Sequence, residues 1–119
     1  MNTEQLTDFC LSLPAVKEEI KFEDHLSFTV GEKIFCITGL HDNTNVSFKI
    51  DPDEFDELIE REGITQAPYF AKRQWVSVQK RGALKKQEWQ EYLAKSYELV
   101  KSKLTKKMQK LIDETGTMN

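Results

Sequence analysis

Apolar residues near the start of the chain recur with the spacing of a helix. Positions i, i+3, i+4 and i+7 are occupied by Leu6, Phe9, Cys10 and Leu13. This spacing places the four side chains on one face of an amphipathic helix. Asn2 or Thr3 can cap the start of this helix, and Pro14 ends it because proline has no backbone N–H to donate.

Three segments with the pattern of β-strands follow. Apolar and polar residues alternate over 26–30 and again over 46–50, which is typical of half-buried strands. The segment 33–40 is almost continuously apolar, as expected for a central strand that is covered on both faces. Residues 31–32 and 41–45 have the composition of turns. The pattern predicts a three-stranded antiparallel meander.

A second helix begins at residue 51 with clear start signals. Asp51 is the expected N-cap, Pro52 fits the first helical position, and Glu54 would complete a capping pair. The side chains predicted to face the core are Phe55, Leu58 and Ile59. Gly63 can adopt the left-handed conformation that commonly follows a helix.

The remaining elements are one strand and one long helix. Residues 74–79 alternate, and they predict a strand with Val76 and Val78 on one face and Trp75 and Ser77 on the other. After a turn, helical periodicity extends over 86–112, and its apolar stripe consists of Trp89, Leu93, Val100, Leu104 and Leu111. At 1.5 Å per residue this helix would be roughly 40 Å long, which exceeds what a small sheet can cover. We therefore expect its last turns to fray, to break near Thr105, or to pack on something else.

The order of elements predicts the fold class. A helix, three strands, a helix, one or two strands and a long C-terminal helix indicate an α+β fold built on an antiparallel sheet. A chain of 119 residues fits one domain. We place that domain at residues 1–112 and expect residues 113–119 to be a flexible C-terminal tail. Because no apolar run is long enough for a membrane span and the N-terminus lacks a basic start, we expect a cytoplasmic protein without a membrane partner.

Charge is distributed unevenly along the chain, although the formal net charge is only −3. Residues 1–66 contain 15 acids and 5 bases, whereas residues 67–119 contain 5 acids and 12 bases, so the two parts carry −10 and +7. Three explanations would account for this asymmetry. The basic part could bind an anionic partner, the two parts could contact each other, or the fold could mix both signs over its surface.

No motif for catalysis or cofactor binding is present. Cys10 and Cys36 lie far apart among apolar neighbours, which predicts two small buried side chains in a reducing compartment. His25 and His41 are not close to either cysteine in sequence and are more typical of the surface. The acids within 51–57 suit a helix start and lack the glycine and distal glutamate of a calcium loop. We predict no enzymatic activity, no cofactor and no metal.

The stretch 67–89 combines basic and aromatic residues. Its cations are Lys72, Arg73, Lys80, Arg81, Lys85 and Lys86, and the aromatics beside them are Tyr69, Phe70 and Trp75. A β-hairpin with such cations can follow a phosphate backbone, and exposed aromatics can stack on bases. The alternative is ordinary core aromatics beside a solvated turn. Further lysines at 95–110 add to the positive charge.

Five segments together resemble the MmcQ/YjbR family of small bacterial proteins. They are FCLSLPAVKEE, SFTVGEKIFCITGL, VSFKIDPDEFDEL, APYFAKRQWVSV and YLAKSYELVKSKL, which occur in this order from about Leu6 to Leu104. The resemblance implies an α+β fold with two β-hairpin wings, similar to a double-wing module of a phage transcription factor, and a DNA-binding role. The residues that match family positions and would carry this role are Lys49, Tyr69, Lys72, Arg73 and Trp75.

One segment departs from the family pattern. Within KEEIKFEDHLSF, where a Pro–aromatic–Gly-like turn is expected, the chain has Ile20, Phe22 and two acids, which argues against a binding role for this loop. The fold is also similar to that of secretion chaperones, which bind proteins as dimers.

Three functions therefore remain open. The first is DNA binding through a basic face around residues 72–86, and we favour it. The second is a module that binds a protein or peptide or associates with itself. The third is a small-ligand binder with a pocket near Tyr69 and Trp75.

Overall fold

A six-stranded antiparallel sheet forms the centre of the protein, and its strands are ordered β1-β2-β3-β4-β6-β5. The computed structural model describes residues 1–118. The strands are β1 (Lys17–Lys21), β2 (His25–Val30), β3 (Lys33–Gly39), β4 (Val46–Lys49), β5 (Ile64–Gln66) and β6 (Trp75–Val78). The helices are α1 (Thr3–Ser12), α2 (Pro52–Ile59), α3 (Lys86–Lys101) and α4 (Lys106–Met118), with a single 3₁₀ turn at Arg81–Ala83. The predicted α+β class is confirmed.

The meander has four strands rather than the predicted three, because β1 precedes it as an edge strand. β1 pairs with β2 in the register Lys17↔Thr29 to Lys21↔His25. Its sequence KEEIK is almost entirely charged and exposed, so it lacks the apolar alternation that identifies a half-buried strand. Charged side chains on an edge strand also discourage pairing with other chains.

Helix α3 packs on one face of the sheet, which we call the inner face. Trp89 and Leu93 are completely buried there, together with Phe28 and Phe48 of the strands. The rings of Trp89 and Phe48 meet edge to face with centroids 6.0 Å apart. The predicted burial of the two cysteines is confirmed, and both thiols are free. We call the opposite side of the sheet the outer face.

The helix starts follow the predicted capping chemistry. Asn2 caps α1 and Asp51 caps α2 by accepting from the amide of Asp53, with Pro52 in the first turn. Two details of α2 differ from the prediction. The carboxylate of Glu54 accepts a hydrogen bond from Lys95 on α3 at 2.8 Å instead of completing a capping pair. Ile59 was expected in the core and is 37% exposed.

The helix predicted over 86–112 is broken near Thr105, which was one of the three expected outcomes for its last turns. Residues 102–105 separate α3 from α4, and the hydroxyl of Thr105 accepts a hydrogen bond from the amide of Met108. Leu111, predicted on the apolar stripe, is half exposed. α4 continues past the predicted domain boundary at residue 112. The flexible tail at 113–119 stays a prediction, and its last residue, Asn119, lies outside the described residues.

Leu104 in this linker packs against the β2–β3 turn. Gly31 in the turn has φ +56°, a left-handed conformation that favours glycine. A β-carbon at this position would lie only 2.6 Å from Cδ1 of Leu104. The close approach of turn and linker therefore requires the glycine. Within residues 1–118, no helix combines the length and apolarity that crossing a membrane requires.

An ion pair joins the loop after α2 to the start of α3. Glu88 accepts hydrogen bonds from both terminal nitrogens of Arg61, at 3.1 and 2.7 Å, and from the backbone amide of Lys85 at 3.0 Å. The hydrogen bonds from Arg61, followed by that from Lys85, lower the pKa of Glu88 to about 2. A carboxyl whose pKa is lower in the folded than in the unfolded state stabilises the fold above its unfolded value and loses this contribution as pH falls.

We predict that Glu88→Gln lowers the free energy of unfolding at pH 7 by about 1–2 kcal/mol, because a charged hydrogen-bonded pair becomes a neutral one. The acid-induced loss of stability between about pH 4.5 and pH 2 should become shallower, since this carboxyl no longer gains a proton. Urea denaturation followed by circular dichroism at several pH values measures both effects. Glu91→Gln on the exposed side of α3 is the matched control, and equal behaviour of the two variants would contradict the prediction.

Candidate ligand-binding cleft

The middle row of the outer face consists of three serines and one isoleucine. Ser27, Ile37, Ser47 and Ser77 pair in sequence across β2, β3, β4 and β6. Paired residues of antiparallel strands point to the same side of a sheet. Serines rise little above the backbone, so this row forms a low strip between taller neighbours.

Two connecting segments rise on either side of this strip. The β1–β2 turn contributes Phe22, and the β5–β6 loop contributes Pro68, Tyr69 and Phe70. Together with floor residues that include Ile34, Ile37 and Ser47, they line a cavity of about 590 Å³. We call this cavity the outer-face cleft. Its volume lies within the range of small-ligand sites, which span roughly 300–1,000 Å³.

The two aromatic residues at the rim are exposed and lie on left-handed backbone. Phe22 is 81% exposed with φ 53°, and Tyr69 is fully exposed with φ 69°. A turn that needs positive φ is usually built with glycine or asparagine, because a side chain there costs about 1 kcal/mol or more. Neither ring compensates for this cost by burial. Left-handed residues other than glycine are enriched at functional sites, although Ala15, Glu23, Glu32 and Arg73 also have positive φ in this chain.

Trp75 does not serve as an exposed stacking platform. It is only 7% exposed, and Phe70 lies over it with ring centroids 4.2 Å apart and planes 22° from parallel. Phe70 and the flanking strands cover the indole of Trp75, so a nucleic-acid base cannot stack on it. Instead, Trp75 supports the β5–β6 loop that carries Tyr69.

Polar groups in the cleft are few and already oriented. His25 Nδ1 and Asp24 Oδ1 are 2.7 Å apart, and Asn45 donates to Ser77 Oγ at 2.8 Å. Cys36 lies on the inner face, so the sheet separates this thiol from His25. Burial, followed by contact with Cys10, raises the pKa of Cys36. A protonated, enclosed thiol is a poor nucleophile.

The side chains of residues 1–118 form no cluster that could ligate a metal ion. Among residues 1–118, no three side chains of histidine, cysteine, aspartate or glutamate converge on a point that could hold an ion. The acids at the start of α2 are spread along the helix, where capping and ion pairs engage several of them.

The cations of residues 72–86 do not form one hairpin face. Lys72 and Arg73 belong to the β5–β6 loop at one end of β6, whereas Lys80–Lys86 follow the other end and lead through a 3₁₀ turn into α3. β5 and β6 pair as an antiparallel hairpin whose loop carries Lys72 and Arg73, and the cations at Lys80–Lys86 lie beyond the other end of this hairpin. β6 ends in the connection to a helix there, and the helical periodicity from Lys86 onward already indicated this.

Several of these cations are engaged with acids of the first half of the chain. Arg73 donates two hydrogen bonds of 2.9 Å to Asp56, and Lys80 contacts Glu62 at 3.1 Å. The fold thus mixes the two signs over this surface. Lys72, Lys85 and Lys86 are exposed and form no ion pair among the described residues.

Arg81 points into the structure rather than into solvent. Its guanidinium donates to the carbonyl oxygens of Thr44 and His41 and to the hydroxyl of Thr38, each at 3.2 Å. Burial lowers its pKa. Arg81 therefore fixes the β3–β4 turn. Lys49, the remaining predicted residue, lies at the end of β4 opposite Trp75.

Sequence reasoning found one rim of the cleft and missed the other. Tyr69 is among the predicted site residues, whereas Phe22 stands in the segment that departs from the family pattern, and the expectation of no binding role for that loop stays a prediction. The floor residue Ile37 lies in the continuously apolar run of β3. A continuous apolar run predicts apolar side chains on both faces of the strand. This pattern is the sequence signal that could have identified Ile37 as part of the cleft.

Comparisons with known proteins agree with this architecture. A family model described as YjbR matches residues 11–99. A solved structure of Deinococcus radiodurans protein DR2400, which contains a DUF419 domain, has a TM-score of 0.86 and 29% identity over 94% of this chain and 88% of that one. A protein from Pseudomonas syringae has a TM-score of 0.71 and 22% identity over 84% and 99% of the two chains, and at this identity it shows the fold alone. No curated protein matches the chain. Because the family model spans most of the sequence and the predicted resemblance is thereby confirmed, the chain belongs to the YjbR family.

Proposed function

We propose that the protein is a non-catalytic binding module and that its outer-face cleft holds a ligand with a flat apolar group. The observation that carries this proposal is the pair of exposed rim aromatics. Phe22 and Tyr69 line the same cavity and are presented to solvent on unfavourable backbone. A turn that served no other purpose would be less strained with glycine at each position.

The chemistry of the cleft favours an aromatic ring. Aromatic rings pack against one another by offset stacking or edge to face, and such a contact contributes about 0.5–1.5 kcal/mol beyond the buried area. Ile34 and Ile37 provide an apolar floor on which the ring would rest. Asn45 and Ser47 add a few polar atoms at the margin, and these can orient a ligand.

We predict that small uncharged aromatic probes bind at the cleft and that Tyr69→Ala weakens them by about fivefold or more, the loss expected for one stacked ring. The probes are indole and adenine, titrated into the labelled full chain while amide resonances are followed by NMR. Binding should shift the resonances of Ile34, Ile37 and Ser47. The matched control is Leu111→Ala, which removes a half-exposed apolar side chain outside the cleft.

Shifts that are absent, or that remain unchanged in Tyr69→Ala, would contradict the cleft as a binding site. Phe22→Ala provides a second variant, since the other rim should show a comparable loss.

DNA binding is the second candidate, and one observation favours it. Lys72, Lys85 and Lys86 are exposed and without ion pairs among the described residues, so they remain available to phosphates. The mixed surface around Arg73 and Lys80 opposes it, because nearby acids repel a polyanion.

If DNA binds at these lysines, Lys72→Glu combined with Lys85→Glu should reduce affinity for a duplex. It should also flatten the slope of log affinity against log salt by about 0.9 for each lost phosphate contact. Fluorescence anisotropy at several salt concentrations measures both. Lys106→Glu with Lys107→Glu on α4 makes the same change in net charge elsewhere. An equal loss in this control would show that only net charge matters and would remove the assignment to Lys72 and Lys85.

A further inference from the structure

Three lysines surround a small cavity at the end of the sheet where α3 terminates. Lys33 begins β3, Lys49 ends β4, and Lys103 lies in the linker between α3 and α4. They line a cavity of about 270 Å³, which is completed by the apolar residues Ile34, Val100 and Leu104. Among residues 1–118, no acidic side chain lines this cavity. We call this cavity the lysine pocket.

The lysine charges in this pocket are not neutralised by the protein. None of the three forms an ion pair among the described residues, in contrast to the paired Lys80 and Lys95. Burial, followed by the positive charge of Lys103, lowers the pKa of Lys49. Glu32, which precedes Lys33 in sequence, lines a different cavity beside α4. Lys49 is partly buried while Lys33 and Lys103 are exposed, and like charges brought together in this way are unfavourable unless an anion joins them.

We propose that Lys33, Lys49 and Lys103 form a binding site for a phosphate group. Each ammonium offers up to three hydrogen-bond donors and no acceptor, so the site can satisfy several oxygens of a tetrahedral anion at once. The apolar remainder of the lining lowers the local dielectric and strengthens the attraction. The three lysines come from two strands and a linker, so the fold, rather than one flexible segment, brings them together.

The lysine pocket adjoins the outer-face cleft. Ile34 lines both cavities, and Lys49 pairs across the sheet with Trp75, which supports the rim loop of the cleft. We therefore assign the two cavities to one ligand that carries an aromatic ring and a phosphate group. This assignment rests on the proposed function of the cleft, whereas the phosphate site itself does not.

The first experiment titrates inorganic phosphate into the full chain at constant ionic strength maintained with chloride. Saturable NMR shifts are expected at residues 33, 49 and 103. Lys49→Gln should weaken binding by about tenfold, and Lys49→Arg should restore most of it because the charge returns. Lys49→Met keeps the apolar part of the side chain, so an equal loss of phosphate affinity in this variant would come from the missing charge and not from altered packing. The control is Lys107→Gln on α4. Non-saturable shifts, or equal affinity in Lys49→Gln and wild type, would overturn the site.

The second experiment separates the phosphate site from its link to the cleft. In the wild type, 1-naphthyl phosphate should bind at least about tenfold more tightly than inorganic phosphate. Tyr69→Ala should abolish this gain and leave the affinity for inorganic phosphate unchanged. If inorganic phosphate binds at the lysines but the naphthyl ring adds nothing, the assignment to one ligand is overturned while the lysine site is retained.

Discussion

The packing of α3 against a single face of the sheet determines where the other features of the protein lie. Trp89 and Leu93 are fully buried on the inner face, and Trp89 meets Phe48 at the middle of the sheet. Because α3 packs on the inner face, the outer face is free to carry small, buried hydroxyl side chains and a cavity. Antiparallel sheets tolerate such one-sided coverage, since their alternation separates two different surfaces. The cleft is a direct consequence of this asymmetry.

Local signals along the chain predicted much of the fold. The caps at Asn2 and Asp51 and the alternation in β2 and β4 each depend on residues that are neighbours in sequence. β1 was missed because a charged edge strand has no apolar period to detect. β1 forms a strand because it pairs with β2, and the sequence of residues 17–21 by itself gives no sign of that pairing.

The site was less predictable because its geometry depends on distant residues. Arg73 and Asp56 are 17 positions apart, and Lys95 and Glu54 are 41 apart. Charge counts along the sequence cannot show that these side chains neutralise one another. Whether Trp75 is exposed likewise depends on Phe70 folding over it, which is a property of the loop conformation. Composition drew attention to the segment at Tyr69, and only the fold shows that Phe22 lines the same cavity.

The close contact between Gly31 and Leu104 has a consequence for the lysine pocket. Gly31 lies two residues before Lys33, and Leu104 directly follows Lys103. The same contact thus joins two segments that each carry one lysine of the lysine pocket. A side chain at position 31 would adopt a strained left-handed backbone and would require the side chain of Leu104 to move. Gly31 therefore supports two segments that line the lysine pocket, although it does not line the pocket itself.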